Sequence, residues 1–350
     1  MQGNLHARFL EGESSIGPTY LNPALIGGFG NKKIQITNFS TVSNSWNFNL
    51  NNFNINSVPG SELRLKLGSY LAGLIEADGS FAIHDKDSKA KKYLPKILIV
   101  FSLNDRPLAE KLISITKIGK LNNKQNQGCV IWQIQKIEDV KKMINIINGY
   151  MRTPKIEALH RAIKWFNEFH NTNIELLGLD LSPIDSNAWL AGFSDGDSNF
   201  SINLIDRKKR GVVTTKRVQA FFRIELRQNY HRSSELAGTS YFNILSTIAR
   251  YFGVNLYSRS REQKDKIFYS YMLISHNLES HIKVIEYFDR FPLYSSKYLA
   301  YKDWKQVVEQ IQLRAGKPLT AENILGIEKI KAQFNNKRVK FDFSHLDSLV

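Results

Sequence analysis

Residues 71–81 read LAGLIEADGSF, and residues 190–200 read LAGFSDGDSNF. The second stretch follows the first position by position, and each places an aspartate, Asp78 or Asp197, at the same point. A repeated segment of this kind points to two copies of one structural unit in a chain of 350 residues. If the copies pack against each other, the two carboxylates converge on one point.

Periodicity extends the repeat outward from each motif. Leu67, Leu71, Leu74 and Asp78 fall at i, i+4, i+7 and i+11, which predicts a helix over 66–78. Phe81 and Ile83 then alternate with Ser80, Ala82 and His84, as in a strand with one polar face. Further on, the pattern predicts a strand over 96–103, a helix over 108–118 that stops at Gly119, and a strand over 129–134. A helix over 140–147 follows, and Pro154 and Lys155 open another that runs to Phe169.

The second half repeats this order. Asp185 or Ser186 is placed to cap the helix that carries Leu190, Phe193 and Asp197. Phe200, Ile202 and Leu204 alternate with Ser201 and Asn203. Strand, helix, strand and helix are expected over 218–226, 241–252, 267–274 and 278–288. Ser296 and Lys297 open the last long helix.

The expected fold is therefore α+β: two pseudo-symmetric αββαββα repeats, over residues 63–170 and 184–314. Residues 171–183 form the linker. Residues 1–62, rich in Gly, Ser and Asn, read as an irregular leader, and residues 315–350 as a basic tail with one weakly helical stretch.

Composition bounds the partners. The chain carries 48 Lys+Arg against 32 Asp+Glu, a formal charge of +16. That sign favours a polyanion, nucleic acid before membrane. The longest apolar run, ILIVF at 97–101, is too short to span a bilayer. A single cysteine, Cys129, excludes an intrachain disulfide and a cysteine-based zinc site. No basic flank precedes an apolar segment at the start, so no secretory signal is expected.

The motifs also carry chemistry. Small residues recur four apart, Gly73 with Ala77 and Gly192 with Gly196, making a flat face on which two helices can approach closely. A tight crossing accounts for the small residues but not for the acids. Asp78 and Asp197 end their helices, where the macrodipole disfavours an anion by about 0.3–1 kcal/mol. Two acids at that end in equivalent positions suggest a bound cation that reverses the local field. Oxygen ligands select a hard divalent ion such as Mg²⁺, with Mn²⁺ expected to substitute. A carboxylate pair holding divalent ions is the apparatus for in-line displacement at a phosphodiester.

Over residues 63–312 the chain resembles a single-chain, two-repeat LAGLIDADG homing endonuclease of the kind encoded in organellar introns. The resemblance implies a saddle of β-strands in the DNA major groove, with the motif helices as the interface between repeats. It places the acids beneath the central minor groove and implies a double-strand break with short 3′ overhangs, which promotes intron mobility. The metal-binding acids fall on Asp78 and Asp197. Ala77 and Gly196, just before them, become carbonyl ligands. The family's basic residue near the start of each repeat's last helix falls on Lys155 in TPKIEA and Lys297 in SSKYLA, where it would polarise water or stabilise the phosphorane. Two departures stand out. Glu76 occupies a place where the family often has Asp, although that place is not a metal ligand. Ser198 stands where glycine is usual and would accept a positive φ, so a shifted turn and unequal cutting of the two strands are expected.

Strand residues opposite the apolar face are the candidates for reading DNA: Ser80, His84, Lys86, Lys96, Ser201, Asn203, Arg223 and Arg227. Cation-rich loops around Lys91 and Lys92, around Arg207, Lys208 and Lys209, and around Arg259 and Arg261 read as phosphate clamps. Residues 23–31, PALIGGFGN, resemble a segment of cytochrome oxidase subunit I, which implies an exon remnant and a mitochondrial setting. The expected enzyme is a monomer acting on double-stranded DNA. Its first rival is an intron RNA maturase using host intron RNA, with the basic stretch 329–340 as the contact. Its second is a catalytically silent DNA-binding protein, which loss of either aspartate would have favoured. An intein is disfavoured because no splicing nucleophile opens a block and the chain ends without His-Asn.

Overall fold

A computed structural model describes residues 32–33, 61–83, 94–209, 212–263, 266–314 and 316–349. Within these residues the leader contributes β1 (Lys32–Lys33) and the start of α1 (Ser61–Asp78). The first repeat continues with β2 (Gly79–Ala82), β3 (Lys96–Ser102), α2 (Arg106–Thr116), β4 (Lys120–Lys124), β5 (Cys129–Ile134), α3 (Ile137–Ile147) and α4 (Ile156–Phe169). The second runs α5 (Trp189–Asp197), β6 (Ser198–Lys209), β7 (Val212–Arg227), a hairpin of β8 (Asn229–Ser234) and β9 (Gly238–Ser240), α6 (Phe242–Phe252), β10 (Leu256–Gln263), β11 (Lys266–Ser275), α7 (Leu278–Arg290) and α8 (Lys297–Leu313).

The expected order is present in both halves, with two successive helices closing each repeat. Each repeat has one antiparallel sheet, ordered β2-β3-β5-β4 in the first and β1-β10-β11-β7-β6 in the second. Equivalent residues hold equivalent register: Gly79 faces Ile99, as Ser198 faces Ile224. The long strands of the second repeat follow a strict alternation. Phe200, Ile202, Val218, Ala220, Phe222, Ile224 and Leu226 are buried, while the intervening Ser201, Asn203, Arg223, Glu225 and Arg227 lie on the opposite face. The buried side packs on α7 and α8, so one face of the sheet is left for a ligand.

Helices α1 and α5 pair along their length at the centre of the molecule. From Leu67 on, α1 is buried on nearly every side, as is α5, because each is covered by the partner helix and by its own sheet. Close approach depends on glycine. A Cβ at Gly73 would overlap the Trp189 carbonyl and lie 2.7 Å from the Phe193 nitrogen. A Cβ at Gly192 would overlap the Tyr70 carbonyl and lie 2.9 Å from the Leu74 nitrogen.

Two expectations need correction. Neither Asp185 nor Ser186 caps α5, because residues 184–186 form their own short 3-10 turn. Asn187 Oδ1 instead accepts from the Trp189 N–H at 3.0 Å, and Ser69 of the partner helix accepts from the Ala188 N–H at 3.1 Å. Ser198 adopts an extended φ of −103°, so no glycine conformation is needed there, and its hydroxyl donates back to the Ser194 carbonyl at 2.7 Å. Residues 316–349 hold the helical stretch expected in the basic tail and pack against the rest of the protein. They include α9 (Ala321–Ala332), opened by a Thr320–Asn323 capping box, and they bury Ile327, Ile330, Phe334, Leu346 and Leu349. Ile327 and Ile330 stand at i and i+3 on the inward face of α9.

Candidate active site

The motif helices end together. Asp78 is the last residue of α1 and Asp197 the last of α5. A Cβ at Gly196 would overlap that of Ala77 and lie 3.1 Å from Cγ and Oδ2 of Asp78. Glycine at 196 therefore makes room for the end of the opposing motif helix, Ala77 above all. Both residues are half-buried, and loss of hydration first of all pushes Asp78 up to about 8 and Asp197 up to about 6. The negative charge of Asp197 raises Asp78 further, whereas Lys297 and Lys155 hold both down. Two half-buried acids that raise proton affinity at one point are also suited to a cation.

Each motif carries a second acid two residues earlier, and the structure gives these acids matching tasks. Glu76 accepts from the backbone N–H groups of Arg152 (3.0 Å) and Thr153 (2.6 Å), and from the Thr153 hydroxyl (2.6 Å). Asp195 accepts from the N–H groups of Tyr294 (2.8 Å) and Ser295 (3.1 Å), and from the Ser295 hydroxyl (2.5 Å). Burial raises the pKa of both acids, and these donors counter it. Each acid thus ties down the loop that leads into α4 or α8, two residues before the lysine.

The lysines then reach the motif helices. Lys155 Nζ donates to the carbonyls of Ile75 (3.1 Å) and Gly79 (2.9 Å). Lys297 Nζ donates to those of Ser194 (3.1 Å) and Gly196 (2.5 Å). An ammonium at the carbonyls of these helix C-termini offsets their negative ends. Burial lowers Lys155 to about 8. The Gly196 carbonyl expected to serve a metal therefore already accepts from Lys297.

The donor set fits a hard divalent ion: two carboxylates at the ends of helices whose last carbonyls lack intrahelical partners. Among the described residues no group of three or more His, Cys, Asp and Glu side chains is arranged for a metal. A cation here would draw its remaining ligands from carbonyls, water or a substrate phosphate, as Mg²⁺ commonly does.

Around this centre the other expected residues separate. Ser201, Asn203, Arg223 and Arg227 share the open face of the long sheet, and Arg227 acts electrostatically on Asp197 and Lys155. Arg207 and Lys208 lie farther along β6, at a bulge, and Lys209 ends that strand. Lys96 begins β3 opposite Ala82. The Ser80 hydroxyl is buried and has no partner among the described residues. His84, Lys86, Lys91 and Lys92 lie outside the described residues. Arg259 and Arg261 both bind Glu225, at 3.0 and 2.8 Å, so they are oriented by an acid as well as exposed to a ligand.

Several residues of the site were missed by sequence reading. Glu76 was set aside as a departure, and Glu225 was hidden among cations. Asp105 accepts from the Ser296 N–H at 2.6 Å, joining the first repeat to the lysine loop of the second. The matched positions of Glu76 and Asp195 within the repeat were the available signal.

This geometry belongs to a known class. The family model described as LAGLIDADG endonuclease matches residues 71–166 and 190–308, and the chain belongs to that family. It is 40% identical over 354 residues to the intron-encoded DNA endonuclease aI3 of Saccharomyces cerevisiae, covering 93% of this chain and 81% of the yeast protein. It is 31% identical over 268 residues to an uncharacterized cox1 intron-2 protein of 37.2 kDa from Schizosaccharomyces pombe, covering 75% and 71%. In fold it is similar to I-SmaMI bound to an uncleaved DNA target in the presence of calcium ions, with a TM-score of 0.54 at 17% identity, covering 76% of this chain and 98% of that one.

Proposed function

We propose that the chain is a site-specific homing endonuclease that cuts both strands of a DNA target, using a divalent cation held by Asp78 and Asp197. The observation that carries this reading is the convergence of two half-buried carboxylates at paired helix ends, between sheets with a cationic open face. Both acids and both lysines come from one chain, which supports action as a monomer. Mg²⁺ is the natural ion for this oxygen-only donor set, and Mn²⁺ should replace it.

When bound, the ion would supply charge stabilisation to the phosphoryl group and a more acidic water. The chain's own residues do the rest. Glu76 and Asp195 hold the lysine loops. Lys155 and Lys297 bring Nζ to the ends of the motif helices, placed to stabilise charge that develops on the phosphate. Arg223, Arg227, Asn203 and Ser201 face the groove, where Arg suits guanine edges and Asn adenine edges. Arg207, Lys208 and Lys209 flank the site for phosphate contact. The products would carry short 3′ overhangs. The relatives' intron origin, including a cox1 intron, supports a mitochondrial intron reading frame and a role in intron mobility.

The test is cleavage of DNA spanning the intronless exon junction, with Mg²⁺ or with EDTA, for the wild type beside Asp197→Asn. Cutting that requires metal and is lost in the variant supports the reading. Absence of cutting, with tight binding to the intron RNA, would replace it with the maturase reading.

A further inference from the structure

The two lysine loops are braced in matching ways by segments that lie outside the motifs. In the first repeat, Arg152 donates from Nη1 to the Ser182 carbonyl and from Nη2 to Asp180, each at 2.7 Å. The Asp180 N–H donates to the Met151 carbonyl at 2.8 Å. These partners belong to the chain that leaves α4.

Tyr294 is the counterpart of Arg152, since the N–H of each binds the buried second acid of its own motif. Its partners come from the far end of the described chain. The Tyr294 hydroxyl donates to the Ser348 carbonyl at 3.4 Å, and the Tyr294 carbonyl pairs with His345 Nε2 at 3.1 Å. The His345 ring stacks on Tyr298, one residue past Lys297, with centroids 4.1 Å apart and planes 18° apart. Phe343 stacks on the same ring at 5.6 Å. Leu346 and Leu349 are buried, so the short 3-10 segment Ser344–Leu349 is anchored as well as touching. It meets the loop on both sides of the lysine.

We propose that Ser344–Leu349, with Phe343, is a positioning strap for Lys297. It holds the Tyr294 loop against Asp195 and thereby sets the second lysine beside the acid pair. The segment linking α4 to α5 does the same for Lys155. This inference rests on the nuclease reading, because the strap acts on a residue of that site. Its signature is strand asymmetry. Each lysine serves its own half of the site, so loosening one brace slows one cut, whereas general loss of stability slows both.

The test uses a duplex target with a different fluorophore on each strand, under single-turnover conditions with Mg²⁺. The variants are His345→Ala and, separately, deletion of residues 343–350; the milder substitution keeps the test valid if the deletion misfolds. Cleavage of one strand should slow about tenfold or more, since small misplacements of a reacting group are costly, while the other stays within about twofold. Nicked product should accumulate at unchanged DNA affinity. Amide hydrogen exchange should rise over 293–298 and stay constant over 152–157. Equal rates on both strands with unchanged exchange over 293–298 would overturn the strap. A wild type that cuts neither strand would overturn the nuclease reading, and the exchange arm would still decide the bracing.

Discussion

The indole N–H of Trp189 donates to Glu76 Oε2 at 2.6 Å across the interface between the repeats. Its mirror contact runs the other way, from the Tyr70 hydroxyl to Asp195 Oδ2 at 2.7 Å. Trp189 and Tyr70 each stand one residue before their motif's leucine. Each buried acid therefore positions the lysine loop of its own repeat and takes its last donor from the other. Helix pairing and lysine placement are coupled through these two bonds. Removing one donor leaves a buried carboxylate short of a partner, which costs about 1–3 kcal/mol. Trp189→Phe also removes part of a large ring, so Tyr70→Phe is the cleaner variant. Its unfolding free energy in urea should fall by an amount in that range, read as a lower midpoint at an unchanged m-value.

Asp78→Asn and Asp197→Asn should each abolish double-strand cleavage. Both replacements remove a charge that is already destabilised by burial, so the fold should persist. DNA affinity, carried by the cationic sheet face, should remain close to wild type in a filter or anisotropy assay. A variant that still cuts both strands at the wild-type rate would sink the assignment.

Gly192→Ala tests the helix pairing. The added methyl would meet the Tyr70 backbone, which cannot swing away as a side chain could. The helices must separate along a buried crossing, and overpacking of this kind costs about 1–3 kcal/mol or more. A lowered denaturation midpoint is expected, together with weaker cleavage, because separation also moves Asp197 away from Asp78. Gly326→Ala, where a Cβ meets open space on α9, is the control and should be neutral or slightly stabilising.

His281 supplies a pH dependence away from the site. It is 3% exposed, sits edge-on to Trp304, and burial lowers its pKa to about 4. The unfolded chain takes up this proton near the ordinary value of about 6.5, before the folded one does. Its contribution to stability is thus complete above that pH and is lost as pH falls toward 4, by up to about 3 kcal/mol. The raised carboxyls of the active site act with the opposite sign, so the informative quantity is a difference. Between pH 7 and pH 5, wild type should lose more unfolding free energy than His281→Gln. Parallel losses would show that His281 does not carry the effect.

Much of the fold was legible from residues 71–81 and 190–200 because a repeat is visible in one dimension. The strands of the second half were legible for the same kind of reason: Phe200, Ile202 and Leu204 advertise a half-buried surface by alternation. The hairpin at 229–240 has no counterpart in the first repeat and no strong pattern, and it emerged only from its packing near α4. Arg259 and Arg261 were visible as cations, but their shared partner Glu225 lies 34 and 36 residues away and could be paired with them only by strand register.

Sequence by itself determined the two-repeat α+β architecture, the helix crossing and the pair Asp78 and Asp197, because short-range spacing encodes helix faces, strand faces and motif ends. Tertiary structure alone decided what the neighbouring acids do. Glu76 reaches Thr153 over 77 residues, Asp195 reaches Ser295 over 100, and Asp105 reaches Ser296 over 191. Contacts at such separations leave no local periodicity. They exist because folding removes these carboxylates from water, and each must then find its donors wherever the packed chain presents them.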